Sequence, residues 1–279
     1  MTTPFRWLKG HGTQNDFVLL PDHEGSVHGE LSSGLARDLC HRRRGIGADG
    51  VLRVVRSADC ADPAAQQARR DGAEWFMDHR NADGSRSEMC GNGVRVFVRY
   101  LEREGLVDAS TPLRIGTRDG TKTVRWCEDD RLSVDMGRVR KLGECTVGAG
   151  GRTWPAQRVD AGNPHAVAFV DSLDEVGPLL SAPTYDDALF PAGVNVEFAV
   201  RTGEHAVAMR VFERGAGETK SCGTGACAVA LVAADDAVRP ARLDVRPPGG
   251  KLTVTLRADG GADLAGPAVL VAEGRYLLG

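Results

Sequence analysis

Met89-Cys90-Gly91-Asn92-Gly93 and Ser221-Cys222-Gly223-Thr224-Gly225 present one pattern twice: a cysteine, a Gly-x-Gly, then an apolar run with helical spacing. After Cys90, the residues Val94, Phe97, Val98 and Leu101 repeat at i, i+3, i+4 and i+7, the mark of a buried helical stripe. After Cys222, residues 226–235 are apolar almost all round, which predicts an enclosed helix. With the two cysteines aligned, Gly91 meets Gly223, Gly93 meets Gly225 and Asn81 meets Glu213, each nine residues before its cysteine. Strand-like runs precede both, at residues 74–78 and 206–212. Farther upstream, residues 45–51 match residues 191–196, and residues 15–18 match residues 163–167. Four matches in the same order point to a duplicated unit.

The strand signals are short and bounded by turn residues. They fall at residues 51–55, 113–118, 123–127 and 132–136, then at 165–171, 195–201, 243–246 and 251–256. A further helix is expected from Ser32 or Ser33 to about Arg43, with Gly45 as the residue that ends it. Many short strands around one buried helix, twice over, predict an α+β fold. It has two pseudosymmetric domains, each a curved antiparallel sheet or barrel wrapped around a central helix. The expected division is residues 1–133, with about 268–279 added, against residues 134–267. The first part carries Cys90 and the second Cys222.

Bulk properties narrow the function. The chain of 279 residues has 42% apolar and 26% charged residues and a formal charge of −3, giving no electrostatic reason to expect nucleic acid or an anionic membrane. Its 35 glycines favour tight turns and close backbone approaches. The first ten residues lack the apolar core of a signal peptide, and no apolar run is long enough to span a bilayer. Seven cysteines without framework or CxxC spacing argue against a disulfide scaffold and a zinc site, and place the chain in the cytoplasm.

A helix N-terminus has unpaired N–H groups and a partial positive charge. A thiol placed there is expected to have its pKa lowered and to become a better base. The glycines leave the backbone bare, so the same amides can hold a carboxylate. Two such thiols on opposite faces of one α-carbon supply a base and an acid, and the amides meet the charge that develops when the α-proton leaves. The bland alternative is that a lone cysteine is a small buried hydrophobe. It is the reading for Cys40, Cys60, Cys127, Cys145 and Cys227. Matched placement in both halves favours catalysis for Cys90 and Cys222.

Asn15, Asn81, Asn163 and Asn195 lie in Gly- or Pro-flanked loops, where asparagine is usually a turn former. Four at the ends of strands in both halves fit ligand-facing amides about as well. Glu213-Arg214 reads either as a solvated pair or as a holder of an ammonium and a carboxylate. His11 and His165 read either as thiol-tuning groups or as structural hydrogen bonders. The basic residues 41–44 are expected to decorate a helix C-terminus.

These segments resemble the diaminopimelate epimerase family. The matching residues are His11 to Phe17, Arg44 to Gly50, Asn81 to Gly84, Met89 to Gly93, Gly162 to His165, Val194-Asn195, Glu213 to Thr219 and Ser221 to Cys227. The resemblance implies two pseudosymmetric domains with the site in the cleft between them, a homodimer, and a C-terminal strand over residues 268–278 that returns to the first domain. It implies interconversion of LL- and meso-2,6-diaminopimelate, with neither cofactor nor metal, in lysine and peptidoglycan precursor synthesis. Carried over by residue, Cys90 and Cys222 are the acid/base pair, and Gly91, Asn92, Gly223 and Thr224 give backbone donors to the reacting carboxylate. Asn15, Asn81, Asn163, Asn195, Glu213 and Arg214 bind the amino and carboxylate groups, while His165 and Glu213 adjust the thiols. Three positions depart from the family pattern. Gln14 stands where glycine is common, Val96 where a second cysteine is common, and Gly50 where some members have glutamine.

Rival readings remain. A proline or hydroxyproline racemase shares the two-thiol logic, but Glu213-Arg214 and the asparagines favour a substrate with a second amino-acid head group. Residues 215–221 imitate a nucleotide loop but lack the glycine directly before Lys220 that a Walker A loop needs. A thiol hydrolase using His165 and Cys222 leaves Cys90 and the duplication without a role. A pyridoxal-dependent racemase has only Lys220 near a motif.

Overall fold

The computed structural model describes residues 4–234 and 240–277. It divides into two compact units, residues 1–134 with 267–279, and residues 135–266.

The first unit opens with the hairpin β1 (Phe5–Gly12) and β2 (Asn15–Pro21), in which Gly12 pairs with Asn15. Its two-residue turn is Thr13 and Gln14, with φ of 50° and 63°. Type I′ hairpin turns demand such left-handed angles at both positions. Gln14 therefore occupies a conformation that glycine adopts at less cost, which gives the departure at this position a backbone meaning. Helix α1 (Ser33–Cys40) starts at Ser32, whose hydroxyl accepts the Leu35 N–H, and buries Ala36, Leu39 and Cys40. It stops three residues short of the expected Arg43, and Gly45 is not its terminating residue. His41 Nδ1 accepts the amides of Arg43 and Arg44 at 3.1 and 3.0 Å and pulls the chain into a turn. Arg42 leaves the helix end and pairs with Asp16 and Asp49.

Strand β3 (Gly50–Arg56) follows, then α2 (Pro63–Arg70), capped by Asp62 with proline in its first turn. Only alanines, Ala65 and Ala68, are buried in α2, so it has too faint an apolar stripe to be seen by periodicity. β4 (Trp75–Asn81) leads to the central helix α3 (Gly91–Arg103). β5 (Leu113–Thr117), β6 (Gly120–Trp126) and β7 (Leu132–Arg138) complete the run, each within a few residues of the expected position. β2 runs parallel to β3, β3 antiparallel to β4, β4 parallel to β5, and β5, β6 and β7 form an antiparallel meander. The C-terminal strand Val269–Tyr276 pairs with β1, and Leu278 of the expected strand lies outside the described residues. Val94, Phe97, Val98 and Leu101 of α3 are fully buried, and α3 packs on β1, β2, β3 and the C-terminal strand.

The second unit repeats this scheme. β8 (Arg140–Ala149) and β9 (Arg152–Asp160) form a hairpin, and β9 is antiparallel to β10 (Pro164–Phe169). β10 runs parallel to β11 (Asn195–Gly203), which is antiparallel to β12 (Ala206–Glu213). The short β13 (Gly217–Thr219) folds back on β12 before the central helix α4 (Gly223–Ala233). β12 runs parallel to β14 (Ala241–Arg246), and β14, β15 (Leu252–Leu256) and β16 (Gly261–Gly266) form the meander. The order of parallel and antiparallel pairings from β2 to β7 thus recurs from β10 to β16, skipping β13. α4 ends at Ala233, and Asp235 of its expected span lies outside the described residues.

The unit's core is built from Val147, Ala166, Ala168, Val196, Phe198 and Phe190. Among the described residues no helix is long and apolar enough to cross a membrane, and no group of three metal-ligating side chains is found.

Candidate active site

Each central helix begins in the same way. Cys90 is the N-cap of α3, and its Sγ accepts the Gly93 N–H at 3.5 Å. Cys222 is the N-cap of α4, and its Sγ accepts the Gly225 N–H at 3.4 Å. Both cysteines have extended φ/ψ, −144°/117° and −121°/121°, as an N-cap requires. The sulfur does what serine or aspartate does at ordinary helix starts. In both helices it takes the third amide, and the two residues before it, Gly91-Asn92 and Gly223-Thr224, form the first turn, where amides have no acceptor inside the helix.

Around Cys90, the thiol donates to Asn15 Oδ1 at 3.5 Å, and Asn92 Nδ2 donates to the same oxygen at 3.2 Å. Asn15 Nδ2 in turn donates to Asp49 Oδ2 at 2.8 Å, so this amide braces the first cysteine with both of its ends. Asn92 is fully buried, and Arg95 clamps its Oδ1 at 2.6 Å while reaching the Gly91 and Pro267 carbonyls. Both ends of the Asn92 carboxamide are thus engaged within the protein. Asn81, at the end of β4 opposite Gly50, donates through Nδ2 to Ser85 Oγ at 3.0 Å. Gly50 has no room for a side chain: a Cβ there would lie 2.8 Å from the Arg80 carbonyl and 2.9 Å from His79 Nε2. Val96, at the second-cysteine position, is a fully buried core residue. His11 Nδ1 accepts the Gln14 N–H at 3.4 Å and belongs to the hairpin turn.

Around Cys222, the sulfur lies 3.4 Å from Thr224 Oγ1. Its pKa is pushed well above that of an ordinary thiol, first by burial and then by the negative charges of Glu213 and Glu197. This reverses the expected lowering. The helix-end amide and Thr224 do favour the thiolate, but in a site with 6% exposure desolvation outweighs them. Cys222 therefore holds its proton in the substrate-free protein. Alkylation needs the thiolate, so iodoacetamide should modify Cys222 at pH 8 at least about tenfold more slowly than the same cysteine in urea-unfolded chain. The rate should climb as pH rises. Peptide mass spectrometry reads both, and equal rates would contradict the shift.

Asn195 is buried and its Oδ1 accepts the Arg214 N–H at 2.9 Å, while Arg214 Nη1 donates to the Ala192 carbonyl at 2.6 Å. Arg214 itself is exposed. Glu213 Oε1 accepts the hydroxyl of Thr219. Both ring nitrogens of His165 are engaged, Nδ1 with Glu197 Oε1 at 2.7 Å and Nε2 with Asn163 Oδ1 at 2.8 Å. The first unit thus joins Cys90 to Asn15 and Asn92, with Asn81 held separately by Ser85. The second joins Asn163 to His165 and Arg214 to Asn195, and sets Glu213 beside Cys222. Sequence reasoning missed Glu197, Arg95 and Asp49. Glu197 had a visible signal, a single acid in the otherwise apolar run of residues 196–200. Of the other cysteines, Cys40, Cys60 and Cys227 are buried as small core residues and Cys127 and Cys145 are half-buried. Burial pushes the Cys40 thiol up to about 12.

Comparison with known proteins places this geometry. The chain is 51% identical to a diaminopimelate epimerase of Streptomyces coelicolor, over 99% of this chain and 96% of the relative. It is 47% identical to one of Thermobifida fusca, over 96% and 97%. Among solved structures, it resembles a phenazine biosynthesis protein of the PhzF family from Bacillus anthracis, with TM-score 0.69, 15% identity, and 99% and 100% of the two chains covered. It also resembles a hydroxyproline epimerase from Agrobacterium vitis, with TM-score 0.67, 14% identity, and 99% and 93% covered. At these identities the structural likeness establishes the fold alone. The family model described as diaminopimelate epimerase matches residues 7–142 and 158–275. With both cysteine-capped helices inside the matched segments, the chain belongs to the diaminopimelate epimerase family.

Proposed function

We propose that this chain is a two-base epimerase that interconverts LL- and meso-2,6-diaminopimelate without a cofactor, in lysine and peptidoglycan precursor synthesis. One observation carries the reading. The same sulfur-capped helix start, backed by glycines, recurs in both units of a chain related to this family over nearly its whole length.

Inversion at an α-carbon needs a proton removed from one face and another delivered to the opposite face. Cys222, held as a thiol by burial and two neighbouring acids, is suited to deliver the proton. In that direction Cys90 is the base, and in the reverse direction the two exchange roles. The first-turn amides of Gly91, Asn92, Gly223 and Thr224 are assigned to the reacting carboxylate, where they meet the charge that builds as the proton leaves. Asn15, Asn81, Asn163, Asn195, Glu213 and Arg214 are assigned to the amino and carboxylate groups, and Glu213 and His165 to the tuning of the site. Residues 1–133 with 268–279 and residues 134–267 are the two epimerase domains on this reading. A homodimer in the cytoplasm is part of it.

The experiment is solvent exchange. Dialysed protein in deuterium oxide should label the α-position of LL- and meso-diaminopimelate with no addition, and leave proline unlabelled. Labelling of proline alone would move the chain to the proline racemases. Labelling only after pyridoxal phosphate is added would end the cofactor-free mechanism.

A further inference from the structure

Glu197 interrupts an apolar strand with a carboxyl group that is completely buried. Beyond the contact with His165, its second oxygen, Oε2, has no hydrogen-bond partner among the described residues. Removing a carboxyl from water is costly, and the contacts with His165 and with its own backbone N–H do not offset it. Its place is also tightly set, because a Cβ on Gly225 would lie 2.5 Å from Oε1, under the first turn of α4. The ionisable groups around it are His165 from β10, Glu213 from β12 and Cys222 at the α4 cap.

The hydrogens indicate what Glu197 does. An amide oxygen only accepts, so His165 Nε2, at 2.8 Å from Asn163 Oδ1, must carry a hydrogen. The 2.7 Å contact between Nδ1 and Oε1 then holds one further proton. Whether that proton rests on nitrogen or oxygen, Nε2 remains a donor. Desolvation raises the Glu197 pKa and so keeps the proton in the pair. With Oδ1 occupied, the carboxamide of Asn163, a half-buried residue, is left with Nδ2, which has no hydrogen-bond partner among the described residues.

We propose that Glu197 is a positioning residue: through His165 it locks the Asn163 carboxamide with its Nδ2 outward, making Asn163 a donor that accepts a substrate carboxylate and rejects an ammonium. The assignment rests on the epimerase reading above. Without the acid, the imidazole is free to carry its hydrogen on Nδ1, the amide can turn over, and an oxygen faces the ligand instead.

Steady-state kinetics with LL-diaminopimelate on wild type, Glu197→Gln, Glu197→Leu and Asn163→Asp test this. Glutamine can donate its amide hydrogen to Nδ1 and keep Nε2 as the donor, so KM should stay within about threefold of wild type. Leucine should raise KM about tenfold or more, the larger effect being on KM because a ligand contact is lost, while loss of the Glu197 charge beside Cys222 accounts for a smaller change in kcat. Asn163→Asp keeps an acceptor toward His165 but turns an anion outward, and should raise KM by a similar factor. An unchanged KM in folded Glu197→Leu, a glutamine variant as impaired as leucine, or tighter binding by Asn163→Asp would overturn the proposal. If leucine prevents folding, judged by circular dichroism, the other two variants still decide. Failure of wild type to turn over diaminopimelate would instead refute the epimerase reading, so the two failures are separable.

Discussion

Replacing either Cys90 or Cys222 with alanine is expected to lower epimerisation by about a thousandfold or more, with folding intact. Acid/base groups placed for proton transfer typically contribute factors of this size. Each variant keeps one thiol, which can at most return a hydrogen to the face it came from, so inversion fails in both. Alanine also removes the sulfur that accepts the third helix amide, Gly93 or Gly225, so a modest loss of stability is expected, about 1 kcal/mol. Measuring turnover alongside the thermal midpoint separates the two effects. Near-normal turnover in either variant would refute the two-base assignment.

Gly45→Ala is expected to cost about 3 kcal/mol or more of stability, with little direct effect on the reacting groups. A Cβ at this position would lie 1.9 Å from the Asp38 carbonyl oxygen and 2.7 Å from that of Leu39. Both are backbone atoms at the end of α1, and they cannot move away as a side chain can. The surrounding turn is held by Gly45 N–H to His41 O, by the Ile46 and Gly47 amides to Leu39 O, and by the Ala48 amide to Cys40 O. Asp49, which holds Asn15 beside Cys90, follows directly after this turn. A urea midpoint shifted by less than the error of the measurement would show that the turn yields more easily than its backbone contacts allow.

Periodicity made α3 legible, because a buried face writes itself into the sequence at 3.6-residue intervals, while α4 was legible as an all-apolar run behind the same cysteine motif. Most strands of the meanders were legible for the same kind of reason. Helix α2 was not, since its buried residues are alanines. The end of α1 was misplaced because the turn after Cys40 is set by His41 and by Arg42 reaching Asp16 and Asp49, contacts that local propensity does not encode. The hairpin at Thr13-Gln14 carries none of the usual turn residues, and its left-handed angles are imposed by the pairing of β1 with β2.

By itself the sequence determined that there are two cysteine-capped helices, one per half of a duplicated chain, because a repeated motif keeps its order whatever the fold around it. Only the tertiary structure decided what surrounds each sulfur. The Cys222 thiol stays protonated because burial and the charges of Glu213 and Glu197 outweigh the helix end, and His165, which meets Asn163 through Nε2, is itself held through Nδ1 by Glu197 from the neighbouring strand. Desolvation and hydrogen-bond direction depend on groups far apart along the chain.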